Sequence, residues 1–143
     1  MKNPFNFFNK PETNYQDEFN KVLDILDQIP CINAGGCGIS SLAMSRWLKK
    51  NCRINVTFYA YDYGCSEIID VPAHIFIYFD GKFLDSSGEV SPQYQNDACP
   101  LSEKYLLILI NHHRHHWNSS FNREKYVPYI ETLLDIDLSD VEY

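Results

Sequence analysis

The dipeptide Asp80-Gly81 separates two β-rich runs, Ala73 to Phe79 and Lys82 to Ser86, and it restricts the fold more than any other stretch of the chain. Asp-Gly between such runs predicts a two-residue hairpin turn whose twist matches that of the strands. With that turn in place Phe79 pairs with Lys82, so Phe76 faces Asp85 and His74 faces Ser87. Opposed residues share a face of a sheet, as do residues two apart on one strand. His74 and Asp85 are thereby expected on one side as diagonal neighbours, close enough to hydrogen-bond. Ile75, Ile77, Phe79 and Leu84 point to the other side, into a core.

Helical spacing flanks this hairpin. Phe19, Val22, Leu23, Leu26 and Ile29 mark one face of a helix predicted over Tyr15 to Ile29, which Pro30 ends. After a turn-like stretch, Cys31 to Gly36, a second helix is predicted from Cys37 to Lys50, with Ile39, Leu42, Ala43 and Trp47 as its apolar stripe. Arg46, Lys49 and Lys50 place positive charge in its last turns, where the helix dipole favours it. The period then changes. Ile54, Val56, Phe58 and Ala60 alternate with Asn55, Thr57 and Tyr59, the pattern of a half-buried strand. Residues 87–101 read as loop. Leu106 to Ile110 fits either a helix begun by Ser102 and Glu103 or a buried strand, and a last short helix is predicted over Tyr126 to Ile136 with Pro128 in its first turn. No repeat or long linker divides the chain. One α+β domain over residues 1–143 is expected, with residues 1–14 an irregular N-terminal segment.

Composition narrows the function. A chain of 143 residues is long enough for a core without disulfide or metal staples, since roughly 68–70% of its unfolded surface is buried at this size. The net charge of -7 argues against nucleic acid as a partner. No apolar run approaches the roughly 18 residues of a membrane span. Met1-Lys2-Asn3-Pro4-Phe5 begins no apolar signal sequence, so a cytoplasmic protein without a membrane partner is expected. The five cysteines, at 31, 37, 52, 65 and 99, form no C-x-x-C pair. In a reducing compartment they are free thiols, and most are expected to be small buried hydrophobes.

Cys37 sits in a different setting from the rest. It follows Gly35-Gly36 and opens a helix, where free backbone N–H groups and the dipole favour a negative charge such as a thiolate. The two glycines allow a sharp turn and close backbone approach. N–H groups of that turn, Gly36 included, suit the oxyanion formed when a thiolate attacks a carbonyl. His74 is the one histidine outside the run His112-His113-Arg114-His115-His116. A thiol at a helix N-terminus, a histidine on a strand and an acid on the next strand form a nucleophile–base–orienter set. The histidine takes the thiol proton, and the acid fixes its tautomer and stabilises the imidazolium. An aspartate beside Ser86-Ser87-Gly88 also suits a hairpin-end cap, and the sequence leaves both roles open for Asp85.

The order Cys–His–Asp, with GGCGISSLAMSRWL opening the central helix and VPAHIFIYFDGKFLDSSG carrying the other two residues, resembles the papain-like cysteine peptidase superfamily. Within it the chain looks closest to the compact transglutaminase-like and the bacterial or viral branches. The resemblance covers about residues 33–88. It implies a papain-like fold, a central helix carrying the cysteine packed on an antiparallel sheet that carries His and Asp. It further implies Cys37 as nucleophile, His74 as general base, Asp85 as orienter, an acyl-enzyme route and a peptide or protein substrate. The papain-type oxyanion glutamine has no match upstream of Cys37, and Asn33 is the nearest amide.

The histidine run is the rival site. In a helix, His112 shares a face with His115 and His116, a spacing usable by a metal, yet no nearby cysteine or acid completes a ligand set. Neither a metal nor a cofactor is therefore expected. Tyr59, Tyr61 and Tyr63 fit packing or a groove. Two classes stay open: a thiol enzyme that cleaves or transfers an amide-type acyl group (peptidase, isopeptidase, amidase or transglutaminase-like), and a non-catalytic interaction module on the same scaffold.

Overall fold

A computed structural model describes residues 12–61, 74–112 and 121–143, with side chains from residue 16 onward in the first of these segments. Among them the architecture is α+β. In chain order come α1 (Glu12–Asp27), α2 (Cys37–Cys52), β1 (Thr57–Tyr61), β2 (His74–Phe79), β3 (Lys82–Asp85), β4 (Gly88–Glu89), α3 (Pro92–Asn96), β5 (Ala98–Leu101), α4 (Glu103–His112) and α5 (Arg123–Leu134). The strands form one antiparallel sheet in the order β4-β3-β2-β1-β5.

The expected hairpin forms in the expected register, Phe79 opposite Lys82, Tyr78 opposite Phe83 and Ile77 opposite Leu84. Asp80 at φ 55° and Gly81 at φ 77° give both central residues the positive φ of a twist-matched turn. Phe58, Ala60, Ile75, Ile77, Phe79 and Leu84 line the face of the sheet that joins the core. Helix α2 packs across β2 and β3 on one side and meets α1, α4 and α5 on the other. Its N-terminal half is thus enclosed, and the sequence stripe understated this: Ser40, Ser41, Met44 and Ser45 are buried beside Ile39, Leu42 and Ala43. Small serine side chains let neighbouring elements approach the helix where larger polar residues would not.

Several expectations need correction. Residues 87–101 are not loop alone, because β4, α3 and β5 lie there. β4 has only two residues, and β5, Ala98-Cys99-Pro100-Leu101, lacks the β-branched alternation that marks a strand. Pro100 is tolerated because β5 is an edge strand, where a missing N–H breaks no second ladder. The ambiguous run at 106–110 is helical: Ser102 Oγ accepts from Tyr105 N–H at 3.1 Å, and Leu106, Leu109 and Ile110 are buried at helical spacing. Helix α5 starts three residues before Tyr126, with Asn122 Oδ1 accepting from Lys125 N–H at 3.1 Å. Pro128 consequently falls inside the helix and not in its first turn. The first helix ends at Asp27, and the strand expected from Ile54 begins at Thr57. Among the described cysteines only Cys37 is buried. Cys31 is exposed on the turn after Pro30, and Cys52 and Cys99 are half-buried. Cys65 and Tyr63 lie outside the described residues, as do His113, His115 and His116.

Two glycines are needed for different reasons, and this separates them experimentally. A Cβ on Gly81 would touch nothing within 4 Å, so only its positive φ resists replacement. A Cβ on Gly36 would lie 2.8 Å from Ile32 O and 2.8 Å from a Phe121 ring carbon. Urea denaturation is expected to show Gly81→Ala losing about 1 kcal/mol, and Gly36→Ala losing about 2–3 kcal/mol, the upper part of the overpacking range.

Candidate functional site

Cys37 is the first residue of α2. Gly35 reaches it at φ 114°, a conformation open to glycine, and Gly36 caps the helix without a side-chain hydrogen bond. The first-turn N–H groups therefore have no side-chain cap. Gly36, expected at the site for close approach to a ligand, is packed against Ile32 and Phe121. Its lack of a side chain is thus explained by packing at the mouth of the helix.

His74 is the first residue of β2, and Asp85 is the last of β3. His74 Nε2 and Asp85 Oδ2 are 2.7 Å apart, and the two side chains are only 10% and 11% exposed. The diagonal pairing read from the hairpin register brings these residues together. Asp85 Oδ1 accepts from Ser87 N–H at 2.8 Å and from Ser87 Oγ at 2.5 Å. One carboxylate thus fills both roles the sequence left open. Oδ1 caps the turn into β4, and Oδ2 holds the imidazole.

The third member is in reach as well. Cys37 is among the groups that favour the charged form of the His74 ring, so thiol and imidazole are neighbours, and with Nε2 engaged by Asp85 the ring nitrogen left over is Nδ1. Burial opposes a charge on His74, but the hydrogen bonds to Asp85 and Cys37 outweigh it and raise its pKa from 6.5 to about 9. Burial likewise pushes the Asp85 carboxyl up. Hydrogen bonds from His74 and from Ser87 prevail and hold it below its ordinary range. At neutral pH the pair is an imidazolium donating Nε2–H to a carboxylate.

Aromatic rings wall this pair. Phe76 and Tyr94 lie 5.7 Å and 5.6 Å from the His74 ring, and Tyr61 packs edge-on to Tyr94 at 4.8 Å. Tyr94, on α3, was invisible in a stretch that read as loop. Ser87 left a signal in the sequence, since aspartate two residues before serine in a Gly-containing turn is an Asx-turn pattern. Asn33 stands on the turn between α1 and α2, and its Nδ2 donates to Ser86 Oγ at 2.8 Å. One of its amide hydrogens is therefore spent on Ser86.

Two clefts of about 670 and 420 Å³ lie elsewhere, one beside α4 around Leu107 and Ile108, the other around Arg46 and Asp140. Neither is lined by Cys37, His74 or Asp85. Among the described residues no group of three His, Cys, Asp or Glu is placed to hold a metal, and no helix is long and apolar enough to cross a membrane. Of the histidine run, His112 is the last residue of α4. Comparison with protein-family models, with curated proteins and with solved structures found no match to this chain.

The coupled pair has a signed pH signature. The raised His74 pKa contributes stability that is complete below pH 6.5 and lost as pH climbs through about 9. The lowered Asp85 pKa contributes stability present above 3.8 and lost as pH falls further. Wild type is therefore expected to exceed Asp85→Asn in unfolding free energy most between pH 3.8 and 6.5, with the difference shrinking toward pH 9. Urea titrations at a series of pH values check this. A difference that grows with alkalinity would contradict it.

Proposed function

We propose that this chain is a cysteine-dependent hydrolase or acyltransferase of papain-like type, acting on an amide-type bond of a peptide or protein. The observation that carries this reading is His74, held at 2.7 Å by Asp85 through Nε2 and neighboured by a thiol that opens a helix.

The chemistry follows from the roles these groups take. With the shared proton on His74, the Cys37 sulfur attacks the substrate carbonyl carbon, and the carbonyl π electrons move onto oxygen. The first-turn N–H groups of α2, which have no side-chain cap, are the donors available to stabilise that oxyanion. The imidazolium gives its Nδ1 proton to the departing nitrogen as the C–N bond breaks, leaving a thioester on Cys37. His74, now neutral, removes a proton from water or from an acceptor amine, which attacks the thioester. Collapse releases the acid or the new amide and restores the thiolate with its imidazolium. Asp85 stays ionised throughout, keeping Nε2–H in place and lowering the cost of the positive charge. Hydrolysis and transfer share the first half of this cycle and differ in what enters the second.

A small activated acyl donor, p-nitrophenyl acetate, tests the first half-reaction without the natural substrate. A stoichiometric burst of p-nitrophenol is expected, with the acetyl group found on Cys37 by mass spectrometry. Exposed Cys31 is the internal comparison and should lag far behind Cys37 at pH 6. Cys37→Ala should abolish the burst. His74→Ala should slow it by about 10²-fold or more, and Asp85→Asn by less than His74→Ala. Equal acetylation of Cys31 and Cys37 at pH 6 would overturn the reading.

A further inference from the structure

The hydrogen bond from Asn33 to Ser86 joins the two pieces of chain on which the proposed mechanism depends. Asn33 lies on the turn that leads into Cys37, and Ser86 directly follows Asp85. Asn33 Nδ2 donates to Ser86 Oγ at 2.8 Å, and Ser86 Oγ donates to Asp27 Oδ1 at 3.2 Å. We infer that Asn33 and Ser86 are positioning residues, which lock the turn bearing the nucleophile to the strand end bearing the acid. The inference rests on the Cys37–His74–Asp85 reading and adds the means by which its two halves are held in register.

Three features support it. Ser86 is 3% exposed, so water competes little for its hydroxyl. A hydroxyl has one proton. With that proton given to the acceptor-only carboxylate of Asp27, Ser86 must accept from Asn33, which fixes the orientation of the amide. That orientation leaves Asn33 Oδ1 buried without a hydrogen-bond partner. The two hydrogen bonds thus run in one direction, from Asn33 through Ser86 to Asp27. Finally, Asp85 and Ser87 are joined to each other on the His74 side, while Ser86 reaches the α1–α2 turn. The segment 85–87 is thus gripped from both sides of its backbone. Loosening one grip displaces Asp85, and with it His74, relative to the sulfur.

The test separates positioning from oxyanion binding, because alkylation of a thiol by iodoacetamide builds no oxyanion. Rates at Cys37 are read by mass spectrometry at pH 6, where the His74 ring is charged, and at pH 9.5, above its pKa of about 9. Asn33→Ala and Ser86→Ala are each expected to slow alkylation at pH 6 by about threefold to tenfold, the span set by one lost hydrogen bond. Rates at pH 9.5 should stay within about twofold of wild type, since His74 is then largely neutral and its placement no longer assists the sulfur. Ser86→Thr keeps the hydroxyl and should keep the wild-type profile. The double variant should be no slower than the slower single one, because both remove the same bond. An unchanged ratio of the two rates, or a fall of equal size at both pH values, would overturn the positioning role. If Ser86→Ala does not fold, Asn33→Ala on the half-buried turn decides the matter alone. Failure of the proposed chemistry itself is seen separately, in wild-type protein that shows no preference for Cys37 at pH 6.

Discussion

His74 gives its Nε2–H to Asp85 across the end of a hairpin, in a setting where both side chains are nearly enclosed. A charged pair taken out of water is costly unless each member is hydrogen-bonded and the geometry is good. Here the carboxylate has two further donors from Ser87, and the Cys37 side chain favours the charged imidazole. The surrounding structure keeps this pair in register. The two-residue turn at Asp80-Gly81 fixes which residues of β2 and β3 face each other. A slip of one residue would send His74 or Asp85 to the opposite face.

Cys37 is brought to the same place from the other direction. Helix α2 runs through the interior between the sheet and three helices, so its N-terminus is fixed by packing along its length. Gly36 sits against Ile32 and Phe121 so closely that a Cβ there would lie 2.8 Å from each. Farther along, Arg46 donates to both carboxylate oxygens of Asp140 at 2.7 Å and to Asp137 O at 2.8 Å. That clamp, with Leu138 and Val141 buried, closes the C-terminal segment over the helices that support α2. The site therefore draws on residues from Asp27 to Phe121 in sequence, although the groups proposed to react occupy only three positions.

The part of this arrangement legible in the sequence is the part governed by local rules. Period-two alternation and an Asp-Gly turn set the β2–β3 register, and from it the proximity of His74 and Asp85 follows by counting. Gly35-Gly36 before an apolar helix pattern marked Cys37 as a helix N-terminus. What stayed hidden depends on tertiary context. β5 forms because β1 offers it an edge, and its own composition gives no strand signal. Ser40 and Ser41 lie outside the apolar stripe read from the sequence and are buried, because the N-terminal half of the helix is covered by neighbouring elements. The bond between Asn33 and Ser86 spans 53 positions, and no local pattern announces it. Asp85 is a middle case. Its two readings, turn cap and histidine partner, looked exclusive in the sequence, yet a carboxylate has two oxygens and uses one for each.

The central claim is that Cys37, His74 and Asp85 share protons as one unit, and nuclear magnetic resonance titration of the His74 ring measures this directly. The account predicts a pKa of about 9 for His74 in the wild-type protein. It also predicts that Cys37→Ala and Asp85→Asn each move the titration downward, because each removes a group that favours the charged ring. A His74 that titrates near 6.5 and is indifferent to both substitutions would contradict the account.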